Sequence, residues 1–188
     1  VIGSKRGEIR LGNSFCKRCK TLLPGLGDNI KGVDVTADGS WIVATCAQYL
    51  MVVPTSVGGG KTGFDKSMRQ AEKPIPLKLQ LRPEDITKYG INTVDFTIAR
   101  FNTGESTKES LIVTSTGNYI VTWNFGLIRK YGTKARWTYR IQQTTSNVVA
   151  NKFCYNKKNV VVTTDSDVHL QEMKAQKVKT SRRLRYER

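Results

Sequence analysis

One pattern occurs three times along the chain, and it restricts the fold more than any other feature. "KGVDVTADGSWIVATCAQYLMVVP" (31–54), "NTVDFTIARFNTGESTKESLIVTSTGNYIVTWNF" (92–125) and "NVVANKFCYNKKNVVVTTDSDVHLQEM" (147–173) share one grammar. Each reads as strand, polar turn, strand, short turn, strand. Apolar residues come in short alternating runs between turn residues, and helical periodicity is nearly absent. Val33/Val35, Val94/Phe96 and Val149 open the units. Ile42/Val43, Ile112/Val113 and Val160/Val161/Val162 form more fully apolar second strands, as strands covered on both faces require. Leu50/Val52, Ile120/Trp123 and Val168/Leu170 lie in the third strands.

A fourth strand follows twice, at "IPLKLQL" (75–81) and "RWTYRIQQ" (136–143). The unit starts are spaced more widely than the ~40–45 residues of a WD40 repeat, with the excess in loops. Four-stranded antiparallel units with a buried inner strand are the blades of a β-propeller. A barrel or sandwich also has many short strands but does not require this repeat. In the opening "VIGSKRGEIRLGNSFCKRCKTLLP", the runs "VIG", "EIRL" and "CKTLLP" fit strands two, three and four of the same unit. The last unit lacks its fourth strand. The expected fold is therefore all-β: a WD40-like β-propeller, present as a C-terminal fragment of about three and a half blades. Closed propellers need at least ~4 blades, so missing N-terminal blades or self-association through open sheet edges is expected. The start carries no initiator Met and no signal peptide, which adds to the expectation of an N-terminal truncation.

The 188 residues carry a net charge of +16, concentrated at the ends. Residues 1–20 hold +5 and residues 174–188 hold +6, leaving +5 for the other 153. The division expected is propeller blades over 1–173 and a basic tail over 174–188. In "KAQKVKTSRRLRYER", Lys177, Lys179, Arg182, Arg183 and Arg185 are candidate contacts for an anionic partner. With Tyr186 as its one aromatic ring, the tail is a poor base-stacking platform. No apolar run approaches the ~20 residues that span a bilayer.

"SVGGGKTGF" (56–64) has the ingredients of a phosphate-binding loop. The full motif needs a first glycine at position 55, where Thr55 stands, and a following helix. "GFDKSMRQAEKPIP" meets Pro74 and Pro76 instead, so the run reads as a flexible connection with Lys61 in solvent. "CKRC" (Cys16, Cys19) has metal or redox spacing, but Cys46 and Cys154 are distant and His169 is the only histidine. His169 beside Asp167 invites a Ser–His–Asp reading, yet no strained nucleophile motif accompanies it. The carboxylates stand mostly in turns without a recognisable acid–base pair. "ADGS" (37–40) is a hairpin turn, and Trp123 is read as packing between blades with its N–H satisfied locally. No cofactor is implied.

The runs "GEIRL", "KTLLPGLGDNIKGVDVTADGSWIVATC", "GKTGFDKS", "ARFNTGE", "IVTSTGNYIVTWNF" and "NVVANKF" occur in one order. Together they resemble the C-terminal WD40-like propeller of the vacuolar import and degradation family, in its twenty-seventh-numbered fungal member and plant relatives. The resemblance covers roughly residues 1–172 and leaves the basic extension after Met173 outside the family pattern. It implies a cytoplasmic, non-enzymatic protein-interaction scaffold, associated with delivery of proteins to the vacuole for degradation, and it brings no catalytic residues. Partners are expected to be proteins docking on propeller loops. The competing reading is a basic nucleic-acid-associated propeller protein, with weak contact through the tail; a nucleotide-hydrolysing enzyme comes third.

Overall fold

The structure is a computed structural model that describes residues 1–12, 21–56, 61–102, 109–154 and 159–172. Its fold is all-β and WD40-like, built from four antiparallel sheets that follow one another along the chain. The first sheet holds β1 (Ile2–Gly3), β2 (Ile9–Leu11) and β3 (Thr21–Leu23). The second runs β4 (Gly32–Val35), β5 (Trp41–Thr45), β6 (Leu50–Pro54) and β7 (Leu77–Leu79). The third runs β8 (Arg100–Phe101), β9 (Leu111–Thr116), β10 (Tyr119–Asn124) and β11 (Tyr139–Gln143). The fourth holds β12 (Val148–Phe153), β13 (Asn159–Thr164) and β14 (Val168–Glu172). Each strand pairs with its chain neighbour, so the repeat read from the sequence is the repeat of the structure.

Burial on both faces explains why the inner strands of the second and third sheets are so rich in apolar residues. Ile42, Ala44, Met51 and Val53 turn toward Ile9, Leu11 and Leu23 of the first sheet. Val43, Leu50 and Val52, on the opposite face, meet Ile112, Val121 and Trp123 of the third. Val113 and Ile120 then meet Val148, Val160 and Val162 of the fourth. Side chains alternate along a strand, so a strand with neighbours on both faces buries both sets; the polar residues it keeps, such as Thr45, Thr114 and Ser115, are buried and hydrogen-bonded. Trp123, fully buried, donates its indole N–H to the Arg136 carbonyl at 3.3 Å and packs edge-on to Phe96. That matches the packing role expected for it.

Polar groups also tie one sheet to the next. Lys31 Nζ reaches Asp95 and the Phe96 carbonyl, each at 2.8 Å. Asp34 accepts from Phe101 N–H at 2.9 Å, and burial raises its carboxyl above the ordinary range. Asn151 donates to the hydroxyls of Thr97 and Ser115 at 2.9 Å each.

Three local expectations need correction. Val94 and Phe96 precede the regular first strand of their unit, which is only Arg100–Phe101. The segment before it spans two sheets: Phe96 N–H goes to the Ala47 carbonyl, Thr97 N–H to the Ser115 carbonyl and Ala99 N–H to the Thr45 hydroxyl. Its donors are satisfied without one continuous ladder. Val149 is exposed; a register shift between Val148 and Ala150 makes Val148 the buried residue. Two short helices stand where none was expected, α1 (Pro83–Tyr89) between the second and third sheets and α2 (Phe125–Tyr131) between β10 and β11. Pro83 at the first helical position and Gly90 in the left-handed conformation delimit α1. The Asn124 side chain accepts from Leu127 N–H at 3.0 Å and caps α2.

Candidate interaction surface

The glycine run connects β6 to β7, and the structure describes it from Lys61 onward; Gly58, Gly59 and Gly60 lie outside the described residues. Lys61 is exposed. The Thr62 hydroxyl donates to Asp65 at 2.9 Å, a local turn rather than a phosphate contact. No α-helix follows; the first helical residues are a 3-10 turn at Gln70–Glu72. A phosphate loop requires a helix whose N-terminal amides face the anion, and that element is absent after Thr62.

The connection is not merely flexible, however. Gly63 is buried against the first sheet, where an added Cβ would meet Leu11 Cδ1 at 2.9 Å and Met68 Cε at 3.0 Å. The Thr21 hydroxyl donates to the Gly63 carbonyl at 2.8 Å and accepts from Met68 N–H at 3.2 Å. Residues 62–68 therefore pack as part of the layer over β2 and β3. The sequence reading missed this because the two ends of the contact are 42 or more residues apart.

The other singled-out residues serve the framework where they are described. Asp38 closes its turn by accepting from the Ser40 hydroxyl at 2.6 Å, from Ser40 N–H at 2.9 Å and from the Thr36 hydroxyl at 2.7 Å. These bonds, the Ser40 hydroxyl first, hold its carboxyl down at about 2. Gly39, at φ 67°, takes the left-handed position of that turn. His169 lies on an outer strand, exposed, 3.8 Å from a more exposed Asp167. Cys46 is buried and Cys154 half-buried, both as free thiols, while Cys16 and Cys19 lie outside the described residues. Among the described residues no group of three or more His, Cys, Asp or Glu side chains could hold a metal ion. Lys177, Lys179, Arg182, Arg183 and Arg185 also lie outside the described residues.

Two hollows flank α1, which the sequence reading passed over. On one side a cleft of about 420 Å³ has an apolar floor including Leu81, Ile86, Ile91 and Val94. Tyr49 and Lys78 form part of its polar wall, with the Lys78 ammonium 4.3 Å from the centre of the Tyr49 ring. The buried Tyr49 hydroxyl has no hydrogen-bond partner among the described residues. Burial, reinforced by Asp28, raises its pKa.

On the other side a shallower hollow is lined by Arg82, Pro83, Glu84, Asp85 and Trp137. Tyr139 fastens α1 to the third sheet here. Its hydroxyl donates to Asp85 and accepts from Arg82 N–H at 2.9 Å. Burial first and Asp85 second push that hydroxyl up to about 12. The guanidinium groups of Arg82 and Arg136 lie over the Trp137 ring, at 5.5 and 4.9 Å. The arrangement sets apolar side chains beside cations that form no ion pair among the described residues, with Asp28, Glu84 and Asp85 also in the linings. The signals that could have exposed it were Pro83 followed by Glu84 and Asp85, then Gly90, a helix start and stop seven residues apart.

Comparison with known proteins gives a consistent picture. The profile of a family described as the VID27 C-terminal WD40-like domain matches residues 1–187. The match thus runs through the basic extension that the sequence resemblance had left outside. Vacuolar import and degradation protein 27 of Saccharomyces cerevisiae is 37% identical over 184 residues, covering 93% of this chain and 23% of that protein. The Schizosaccharomyces pombe protein of the same name is 34% identical over 176 residues, covering 89% of this chain and 22% of that protein. The chain thus spans less than a quarter of the length of these relatives. Among solved structures, the computationally designed Ika4 protein superposes with a TM-score of 0.52 at 12% identity, covering 92% of this chain and 83% of that one. That likeness concerns the fold alone.

Proposed function

The chain belongs to the VID27 family, through its C-terminal WD40-like domain, and from that premise we propose that it is a non-catalytic interaction platform acting in delivery of proteins to the vacuole for degradation. The observation that carries this reading is the relief around α1. Two hollows flank α1, each mixing apolar side chains with charged ones, Lys78 and Asp28 in one and Arg82, Glu84 and Asp85 in the other, and Tyr139 fixes the start of the helix by bonding to both Arg82 and Asp85. Polar side chains in the turns are engaged in holding the backbone. Asp38 is one case; Asn102, which accepts from Ser110 and Leu111 N–H at 2.9 and 2.8 Å, is another. Rigid loops on a β scaffold present surfaces to partners, and function on such folds resides in those loops. In this proposal the four sheets are blades of a propeller, residues 1–173 form the platform, residues 174–188 form a basic arm, and the setting is the cytoplasm.

The test is a domain replacement. The corresponding domain of the Saccharomyces cerevisiae relative is exchanged for this chain, and two readouts follow: the proteins co-purifying with the hybrid, and degradation of vacuole-directed proteins. The platform reading expects the hybrid to retain the partner set and restore degradation. A hybrid that restores degradation with no retained partner refutes it.

The +6 charge of residues 174–188 favours a second reading, weak nucleic-acid contact. Such contact falls steeply with salt, with a log–log slope of about −0.9 per duplex phosphate neutralised. Removing residues 174–188 abolishes it if the arm is responsible. Binding to a mixed RNA pool that survives both high salt and arm removal would make nucleic-acid recognition the primary function.

A further inference from the structure

The segment from α2 into β11, "RKYGTKARWTYR" (129–140), carries five cations and no acid. None of Arg129, Lys130, Lys134, Arg136 and Arg140 forms an ion pair among the described residues, nor does Arg82 across the hollow. Several are held over aromatic rings instead. Arg129 lies 5.6 Å from the centre of Phe125, Lys130 5.1 Å from that of Tyr131, and Arg82 and Arg136 share Trp137. A cation over a ring face is oriented yet keeps its hydrogen-bonding edge unsatisfied, ready for an anion. We infer that the hollow at Arg82 and Trp137, with Arg136 over the same ring and the cationic α2–β11 segment beside it, docks an acidic segment of a protein partner. The inference rests on the platform reading and names the chemistry of the partner.

Three observations favour carboxylates on a peptide over a nucleic-acid backbone. Two guanidinium groups already occupy the Trp137 ring, so it is poorly placed to stack on a base, the contact that holds single strands. Glu84 and Asp85 stand in the lining beside Arg82. They repel a continuous run of phosphates, whereas a peptide can space its carboxylates around them. The apolar cleft across α1, with Leu81, Ile86 and Ile91, offers seats for the hydrophobic side chains that a peptide carries between its acids. Planar guanidinium groups take carboxylates through two parallel hydrogen bonds, so two of them on one indole make a directional receptor.

The experiment uses the full 188-residue chain and a fluorescein-labelled peptide of Gly-Glu-Leu-Glu repeated three times, read by anisotropy. Its controls are the Gly-Gln-Leu-Gln counterpart and a labelled uridine 12-mer. We expect saturable binding of the Glu peptide, at least tenfold weaker for the Gln peptide. The double variant Arg82→Ala/Arg136→Ala weakens it at least tenfold, and Arg82→Lys/Arg136→Lys recovers part of the loss. Lys5→Ala/Arg6→Ala, at two exposed cations between β1 and β2, leaves it unchanged. The hydrogen bonds that Arg82 and Arg136 make to Tyr139 and Trp123 use their backbones. The alanine variants therefore keep the wild-type melting temperature, which separates lost binding from lost fold. Wild-type affinity in the alanine double variant, equal binding of the Gln peptide, or tighter binding of the uridine 12-mer through the same two arginines overturns the inference. Were the Glu peptide not to bind while the hybrid protein above kept its partners, the acidic-segment inference would fall and the platform reading would stand.

Discussion

Replacing Thr21 by Val tests whether the glycine-bearing connection is structural. Val keeps the shape of Thr, so no cavity opens, and only the hydroxyl is lost. That hydroxyl is buried and serves the backbone of the connection, accepting from Met68 N–H at 3.2 Å and donating to the Gly63 carbonyl at 2.8 Å, with the Lys66 carbonyl a longer acceptor at 3.4 Å. Without it the Met68 N–H and the Gly63 carbonyl stay in a buried site with no replacement. A buried polar group left unpaired costs about 1–3 kcal/mol, so Thr21→Val should cost roughly 2–4 kcal/mol. Thr21→Ser keeps the hydroxyl and gives up one methyl, at about 1 kcal/mol. The assay is urea unfolding of the three proteins, with limited proteolysis of the connection between β6 and β7. The reasoning requires Val to be clearly worse than Ser, and cleavage of the connection to accelerate in Val alone. Equal stability of the two variants, or Val the more stable, would show that residues 62–68 are not anchored by this side chain.

Three further outcomes follow from the same geometry. Lys61→Ala should leave the melting temperature unchanged, and ATP with Mg²⁺ should not shift it in either protein; a saturable, Lys61-dependent rise would restore the nucleotide reading. Asp38, held at about 2, stabilises the fold above the unfolded carboxyl value near 4. That contribution is lost as pH falls toward 2, so the wild-type advantage over Asp38→Asn should close between those pH values. Because the carboxylate is largely in water, the gap at pH 7 should be only about 0.5–1 kcal/mol; a gap that widens on acidification contradicts the assignment. Val149, Val168 and Leu170 are 60–64% exposed on the last sheet, so Leu170→Lys should reduce light scattering of concentrated protein, and undiminished scattering would locate any association elsewhere.

The repeat was legible because it depends on local rules. Alternation, β-branched residues and Asp-Gly turns identify strands from a few neighbouring residues; the doubly covered second strands announce themselves as "WIVAT" and "LIVTST", and "NVVVTT" is buried on alternate residues. The packing role of Trp123 was readable from its place in the apolar third strand, β10, which is likewise buried on both faces. The two helices were not. At seven residues each they offer barely two turns of periodicity, and their stability comes from Tyr139 holding Asp85 and from Phe125 and Ile128 buried in the core. Tertiary contact likewise decided that Val94 and Phe96 lie outside a regular ladder, because the Thr45 hydroxyl and the Ala47 carbonyl supply hydrogen-bond partners from another sheet. The surface around α1 depends on the same kind of meeting: Arg82 and Trp137 are far apart in sequence, and nothing in either local stretch states that one will lie over the other. Short-range patterning therefore determined the strands and the family resemblance. Which polar side chains are consumed by the framework, and which remain free to receive a partner, was settled only when distant segments packed together.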